Sequence, residues 1–267
     1  MNLLFVGDVI GKPGRRVLGR LLPRLIDRHR ADYVVVNIEN SAGGFGVTAG
    51  VLAELDELPI DCYTSGNHVW DKKEVAELLA RRGGRPLLRP ANYPGGNPGQ
   101  GFHVGETPGG IPVAVVNLQG RVFMDPLDDP FRAADRILEG FAAAHPGLRV
   151  MMVDFHAEAT SEKQAMAFYL DGRVSAVLGT HTHVPTADER VLPGGTALVT
   201  DVGMTGPYDS IIGMRQEQVL HRFLQATPAS FQVAKGDVRL AAAVVDVDEA
   251  TGKARGVERL LIADPEA

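Results

Sequence analysis

Apolar residues fall in short runs that alternate, through the first third of the chain, with segments in which they recur at helical spacing. Residues 3–6 form the first run. Residues 14–30 then set Val17, Leu18, Leu21, Leu22, Leu25 and Ile26 on one helical face, with Pro23 as an expected kink. A β-branched run at 33–38 gives a second strand, and Thr48 is suited to cap a helix carrying Val51, Leu52 and Leu55. Residues 61–64 give a third strand, and Asp71 with Glu74 predicts a capping box that opens a helix to Arg82. A β-α-β-α-β-α order of this kind builds parallel strands joined by right-handed crossovers.

The pattern changes in the middle of the chain. Proline and glycine are dense over 89–110, and the runs at 102–104 and 111–118 flank Pro108-Gly109-Gly110, a hairpin signal. Asp129 before Pro130 predicts a capped helix to about Ala144, followed by a buried strand at 150–155. Ser161 with Gln164 fits a capping box for a helix to Leu170, and 174–178 reads as a further strand. A second hairpin is expected from 190–192 and 197–200 around Pro193-Gly194-Gly195. A glycine-containing loop at 201–213 then leads to a short helix around 217–224. Two late strands, 239–247 and 255–262, flank a turn at Thr251-Gly252. Hairpins inserted among parallel units make the sheets mixed. The expectation is an α/β chain, one domain over 1–267, with two β-rich layers flanked by helices.

Composition narrows the chemistry. The 267 residues are 45% hydrophobic with a formal net charge of −6 and no block of Lys or Arg, which argues against a protein that holds long nucleic acids by phosphate neutralisation. A small anionic substrate would need local positive charge, such as metal ions. The single cysteine, Cys62, lies in an apolar run and reads as a core residue, so one chain can build neither a disulfide framework nor a thiolate metal site. No run approaches a membrane span, and the opening 1–5 is too short and lacks the basic start of a secretory leader. A cytoplasmic protein without a membrane partner is expected.

Five apolar runs end in residues able to bind metal or phosphate: Asp8, Glu39-Asn40, Asn67-His68, His156 and His181/His183. In open α/β sheets the carboxyl ends of strands are where ligands bind. Each site alone has a dull explanation as a cap, a turn or a satisfied histidine; the joint pattern does not. Carboxylate, amide oxygen and imidazole suit borderline-hard ions such as manganese, iron or zinc, and enough donors are present for two. Two adjacent ions need a bridging carboxylate, for which Glu39 and Asp8 are both candidates. Ions roughly 3.5–4 Å apart can trap a hydroxide and stabilise in-line displacement at phosphorus. A histidine near the ions but not on them must protonate the departing alkoxide, and His68 is the obvious choice.

The blocks Gly7-Asp8-Val9-Ile10-Gly11, Asn37-Ile38-Glu39-Asn40, Gly66-Asn67-His68, Asp154-Phe155-His156-Ala157-Glu158 and Gly179-Thr180-His181-Thr182-His183 resemble the YmdB-like branch of the calcineurin-like metallophosphoesterases. The resemblance extends to residues 89–94 and 201–206. It implies a four-layer sandwich of two facing mixed sheets with helices outside, and hydrolysis of phosphodiesters, with 2′,3′-cyclic nucleotides among the branch's substrates. It further implies that Glu39 bridges, with Asp8, Asn40 and His183 completing one site and Asn67, His156 and His181 the other. His68 then stands outside as proton donor. The usual Asp-x-His opening is Asp8-Val9-Ile10 here, and Glu39 replaces the usual bridging aspartate, so Asn40 supplies the lost ligand. The implied cofactor is a pair of divalent or trivalent ions, iron or manganese first and zinc next. The implied partner is a small phosphoester of nucleotide type, with homo-oligomerisation left open.

Other readings compete. Gly7 to Lys12 suggests a phosphate-binding glycine loop, but it is one residue short, Pro13 follows where Ser or Thr is needed, and Asp8 would repel phosphate. A TIM-barrel hydrolase lacks its eight regular βα units. A phosphomonoesterase of the same fold and a non-enzymatic, metal-stabilised regulatory module both remain alternatives.

Overall fold

A computed structural model describes residues 1–80 and 84–265. Its strands are β1 (Asn2–Val6), β2 (Ala31–Asn37), β3 (Cys62–Thr64), β4 (Phe102–Glu106), β5 (Pro112–Gln119), β6 (Val150–His156), β7 (Ala176–Thr180), β8 (Arg190–Val191), β9 (Ala197–Val199), β10 (Gly206–Asp209), β11 (Gly236–Val247) and β12 (Ala254–Ala263). The helices are α1 (Gly11–His29), α2 (Ala49–Asp56), α3 (Val75–Ala80), α4 (Pro130–Ala144), α5 (Thr160–Tyr169) and α6 (Gln216–Gln225).

The strands form two mixed sheets. One runs β10-β11-β1-β2-β3, with β12 also paired to β11; the other runs β4-β5-β6-β7-β9-β8. The crossovers β1-β2-β3 and β5-β6-β7 are parallel, and the expected hairpins β4-β5, β8-β9 and β11-β12 are antiparallel.

Strand alternation sorts the apolar residues into three layers of core. Leu3, Phe5, Tyr33 and Val35 from the first sheet meet Val113, Val115, Val150 and Met152 from the second between the sheets. Their neighbours Leu4, Val6, Val34 and Val36 point the other way, against Val17, Leu18, Leu21, Leu22 and Leu25 of α1. On the far side Ala114, Val116, Leu118 and Val153 pack on Ala133 and Phe141 of α4 and Met166 of α5. Burial on both faces is why these strands read as continuous apolar runs rather than alternating ones. The result is helices, sheet, sheet, helices in four layers. Cys62 is in the inter-sheet core, as expected.

Several local expectations change. α1 begins at Gly11 rather than 14 and continues through Pro23, which sits on the exposed face where the carbonyl its ring leaves unbonded can meet water. The capping box at Ser161 and Gln164 does not form: the N-cap is Ala159, and the carboxylate of Glu162 instead accepts from the backbone N–H groups of Arg121 and Val122. Asp71 is not a helix cap either. It closes a 3-10 turn over Asn67–Trp70 and pairs with His68, a nearer and stronger partner, while α3 starts at Val75; the expected helix end at Arg82 lies outside the described residues. The expected loop at 201–213 contains β10, an edge strand that tolerates Pro207 and pairs with β11.

Candidate metal centre

The parallel strands of both sheets end on one edge, and the polar residues at those ends meet there. Asp8 follows β1, Glu39 and Asn40 follow β2, Asn67 opens the turn after β3, His156 ends β6, and His181 and His183 follow β7. His156 Nε2 lies 3.2 Å from Glu39 Oε1, 2.8 Å from Asn67 Oδ1 and 3.0 Å from His181 Nδ1. Two groups of donor atoms converge closely enough to hold an ion, Glu39 with His156 and His181, and Asp8 with Glu39 and His183. Glu39 belongs to both. Of the two carboxylates that could bridge, it is the one whose position suits that role.

The donor atoms are unspent. Asp8 Oδ1, Glu39 Oε1 and Asn40 Oδ1 are buried and accept no hydrogen bond, although a buried polar atom without a partner is costly. Asn40 uses its Nδ2 to donate to the carbonyl of Gly44 at 2.9 Å, which leaves its oxygen as the free end. Burial pushes the Asp8 carboxyl well above the usual carboxylate range, with Glu39 adding repulsion and His156 opposing it. Burial raises Glu39 too, but its neighbour His156, helped by His68 and His181, lowers it to about 2. Desolvation and the charge of His156 lower His181 to about 3, and desolvation lowers His183, so burial disfavours the charged form of both imidazoles. Two buried carboxylates, an amide oxygen pair and neutral imidazoles fit divalent cations.

A second set of residues, which the strand-end pattern missed, fixes this geometry. His156 Nδ1 donates to Thr180 Oγ1 at 2.9 Å, and that hydroxyl donates to Asp154 Oδ1 at 2.8 Å; desolvation opposes the charge of His156 but Glu39 and Asp8 raise it, so Nε2 is the nitrogen whose proton a bound cation would replace. Asp154 also accepts from Thr64 Oγ1 and from Asn37 Nδ2, which ties β6 to β2 and β3 across the sheets; burial lifts its carboxyl to about 6. Asp201 accepts from the backbone N–H and hydroxyl of Thr182, between the two histidines, and from buried Lys163 at 2.6 Å. The carbonyl of Ile212 accepts from His183 Nδ1 at 2.9 Å. These anchors hold two strained residues, since His181 and His183 adopt φ of 99° and 66°.

His68 stands outside both donor groups. Its backbone N–H donates to Glu39 Oε2 at 3.3 Å, its Nδ1 lies 2.9 Å from Asp71 Oδ2, and the ring meets Phe45 edge-on at 5.0 Å. Gly66, two residues before, is needed for space rather than for a tight turn. Its φ of −158° is open to any residue, but a Cβ would lie 2.3 Å from His156 Nε2 and 2.3 Å from Glu39 Oε2.

The profile of the YmdB-like protein family matches residues 4–260. A Bacillus subtilis (strain 168) protein named 2′,3′-cyclic-nucleotide 2′-phosphodiesterase is 47% identical over 264 residues, covering 99% of this chain and 98% of that one. A crystal structure of a hypothetical protein from Thermus thermophilus superposes with a TM-score of 0.91 at 47% identity, covering 99% of this chain and 100% of the other. A crystal structure described as a novel phosphatase from Mycoplasma pneumoniae also reaches 0.91, at 35% identity over 100% of this chain and 95% of the other.

Proposed function

The chain belongs to the YmdB-like protein family, and from that premise we propose that it is a metal-dependent phosphodiesterase acting on small phosphodiesters, with 2′,3′-cyclic nucleotides as the substrate class. One observation carries the reading: Glu39 is shared by two converging groups of possible metal ligands, in which Asp8 Oδ1 and Glu39 Oε1 are buried without a hydrogen-bond partner, and a histidine outside both groups stands beside them. Asp8, Glu39, Asn40 and His183 would hold one ion; Glu39, Asn67, His156 and His181 would hold the other. Manganese or iron suits this oxygen and nitrogen set, with zinc next. When bound, such a pair neutralises phosphoryl charge and activates water at neutral pH.

The chain's own residues do the rest. Thr180 and Asp154 keep His156 in the tautomer that presents Nε2. Asp71 takes up Nδ1 of His68, which leaves Nε2 as the proton donor to the departing alkoxide. Phe45 limits the swing of that ring. A site that merely held structural ions would gain nothing from a half-exposed His-Asp pair at its mouth.

The test is turnover by the manganese- or iron-loaded protein on a panel of 2′,3′-cyclic nucleotides, linear dinucleotides and phosphomonoesters. Hydrolysis of the cyclic diesters with a ring-opened monoester product is expected. Turnover of monoesters alone would make the protein a phosphatase of the same fold, and a metal-loaded protein inert on the whole panel would leave the regulatory reading. His68→Ala should keep both ions and lose roughly 10²–10⁴ in rate on alkyl esters. The loss should shrink on nitrophenyl esters, whose leaving group needs no proton; equal losses on both would remove His68 from that role.

A further inference from the structure

Gln119, beside His156 in strand register, is a buried polar residue that the roles above leave unused. It is the last residue of β5, 0% exposed, and neither atom of its side-chain amide hydrogen-bonds to a protein group. Its backbone is fully engaged: Asn92 Oδ1 accepts its N–H at 2.9 Å and Asn92 Nδ2 donates to its carbonyl at 2.8 Å. The amide is therefore the only unsatisfied part of a tightly held residue.

Strand alternation fixes which way that amide faces. Val113 and Val115 of β5 lie in the inter-sheet core, whereas Ala114, Val116 and Leu118 pack on the outer helices. Asn117 follows the inward parity, and its Oδ1 accepts from the backbone of Ser65 across the sheets at 3.1 Å. Gln119, two residues on, shares that face. In register it sits beside His156 of β6, which in turn sits beside Thr180 of β7. The inward row at this edge is thus Gln119, His156, Thr180. Thr180 supports His156 from one side; Gln119 flanks it on the other.

The buried cations nearby are spent elsewhere. Lys163 is bonded to Asp201, and Arg89 donates to the carbonyls of Pro98, Pro90 and Asn97. A neutral amide is what remains to meet an anion without competing for Asp8 and Glu39. We infer that Gln119 is a substrate-contacting residue, whose Nε2–H donates to a phosphoryl oxygen of the ester while Oε1 accepts from a hydroxyl on the same ligand. This inference rests on the phosphodiesterase reading and deepens it.

The experiment uses the full-length, manganese-loaded protein with inorganic phosphate as probe, read by calorimetric binding, alongside metal stoichiometry, melting temperature and kinetics on a cyclic nucleotide. Gln119→Met keeps the shape and deletes both polar atoms. It should retain both ions and melt at the same temperature or higher, because it removes an unsatisfied buried amide, yet bind phosphate about 10- to 100-fold more weakly, the worth of a hydrogen bond to a charged group. Gln119→Glu, isosteric but anionic, should weaken phosphate further with KM raised more than kcat is lowered. Should the Met variant fail to fold, the Glu variant carries the test alone. Unchanged phosphate affinity in both variants overturns the inference, as does loss of phosphate that only tracks loss of metal. A wild-type protein that neither binds phosphate nor hydrolyses the ester sinks the underlying reading instead; wild-type turnover with indifferent variants sinks only the role of Gln119.

Discussion

Gly66→Ala is the sharpest perturbation of the centre because it adds one carbon and nothing else. The new Cβ would stand 2.3 Å from both Nε2 and Cδ2 of His156 and 2.3 Å from Glu39 Oε2, where ordinary contact begins near 3.4 Å. Each neighbour is thus about 1.1 Å too close (3.4 − 2.3). Neither can yield freely, since His156 is held through Nδ1 by Thr180 and Glu39 Oε2 receives the backbone N–H of His68. Overpacking of this kind costs about 1–3 kcal/mol, which in a chain of this size lowers the melting temperature by roughly 2–12 °C at about 2–4 °C per kcal/mol. The functional loss should be larger than the stability loss. Two residues proposed to hold the ions would be displaced together, and a shift of about 1 Å can cost on the order of 10²-fold in rate. Metal titration, melting and steady-state kinetics on one preparation check this. A variant with native metal affinity and native kcat/KM would refute the claim that glycine is there to make room.

Other perturbations probe separate parts of the centre. Glu39→Gln should reduce bound metal below two ions per chain and abolish turnover, because Glu39 is common to both donor groups; elemental analysis showing two ions retained would end the bridging role. Chelation of the loaded protein should lower its melting temperature by roughly 5–11 °C per ion for an ion present at about 100 times its dissociation constant, a stabilisation of about 2.7 kcal/mol for each site. An unmoved melting curve would mean that the ions contribute nothing to the fold. Lys163→Met leaves the Asp201 carboxylate buried without its cation, and breaking a buried pair costs about 3–5 kcal/mol. A compensating Asp201→Leu change should not restore the protein, because Thr182 and Gly203 also donate to that carboxylate; full recovery in the double variant, measured by chemical denaturation, would show that the pair does not anchor the histidine segment.

What can be read in the sequence, and what cannot, follows from how far each property depends on partners distant in the chain. Strands buried on both faces announce themselves as apolar runs, and a polar residue ending such a run falls at a sheet edge, so Asp8, Glu39, Asn67, His156 and His181 are legible as a set though not one by one. The anchors are not, because Asn37 finds Asp154 across 117 positions and Lys163 finds Asp201 across 38. β10 stays hidden since Gly206-Pro207-Tyr208-Asp209 has no apolar alternation and owes its pairing to β11. The capping box at Ser161 fails because Glu162 has a better use, gripping the loop after β5.

The pair His181 and His183 shows the same dependence at closest range. On a regular strand, alternate residues point to one face, yet the two histidines belong to different donor groups that share only Glu39. The chain resolves this by leaving β7 at Thr180 and forcing both histidines into left-handed backbone, a conformation that costs of order 1–3 kcal/mol per residue and persists only where surroundings fix it. The surroundings are Asp201 bonded to Thr182 between them and Ile212 bonded to His183. The H-x-H spacing therefore names the candidate ligands, while the strain that sends them to different groups is written elsewhere in the chain, in Lys163, Asp201 and the loop at Ile212. Releasing that hold with Thr182→Gly, which deletes the hydroxyl bonded to Asp201 and frees the backbone between the histidines, should loosen metal binding before it unfolds the chain. Simultaneous loss of both in a denaturation series would show that segment and fold are one cooperative unit.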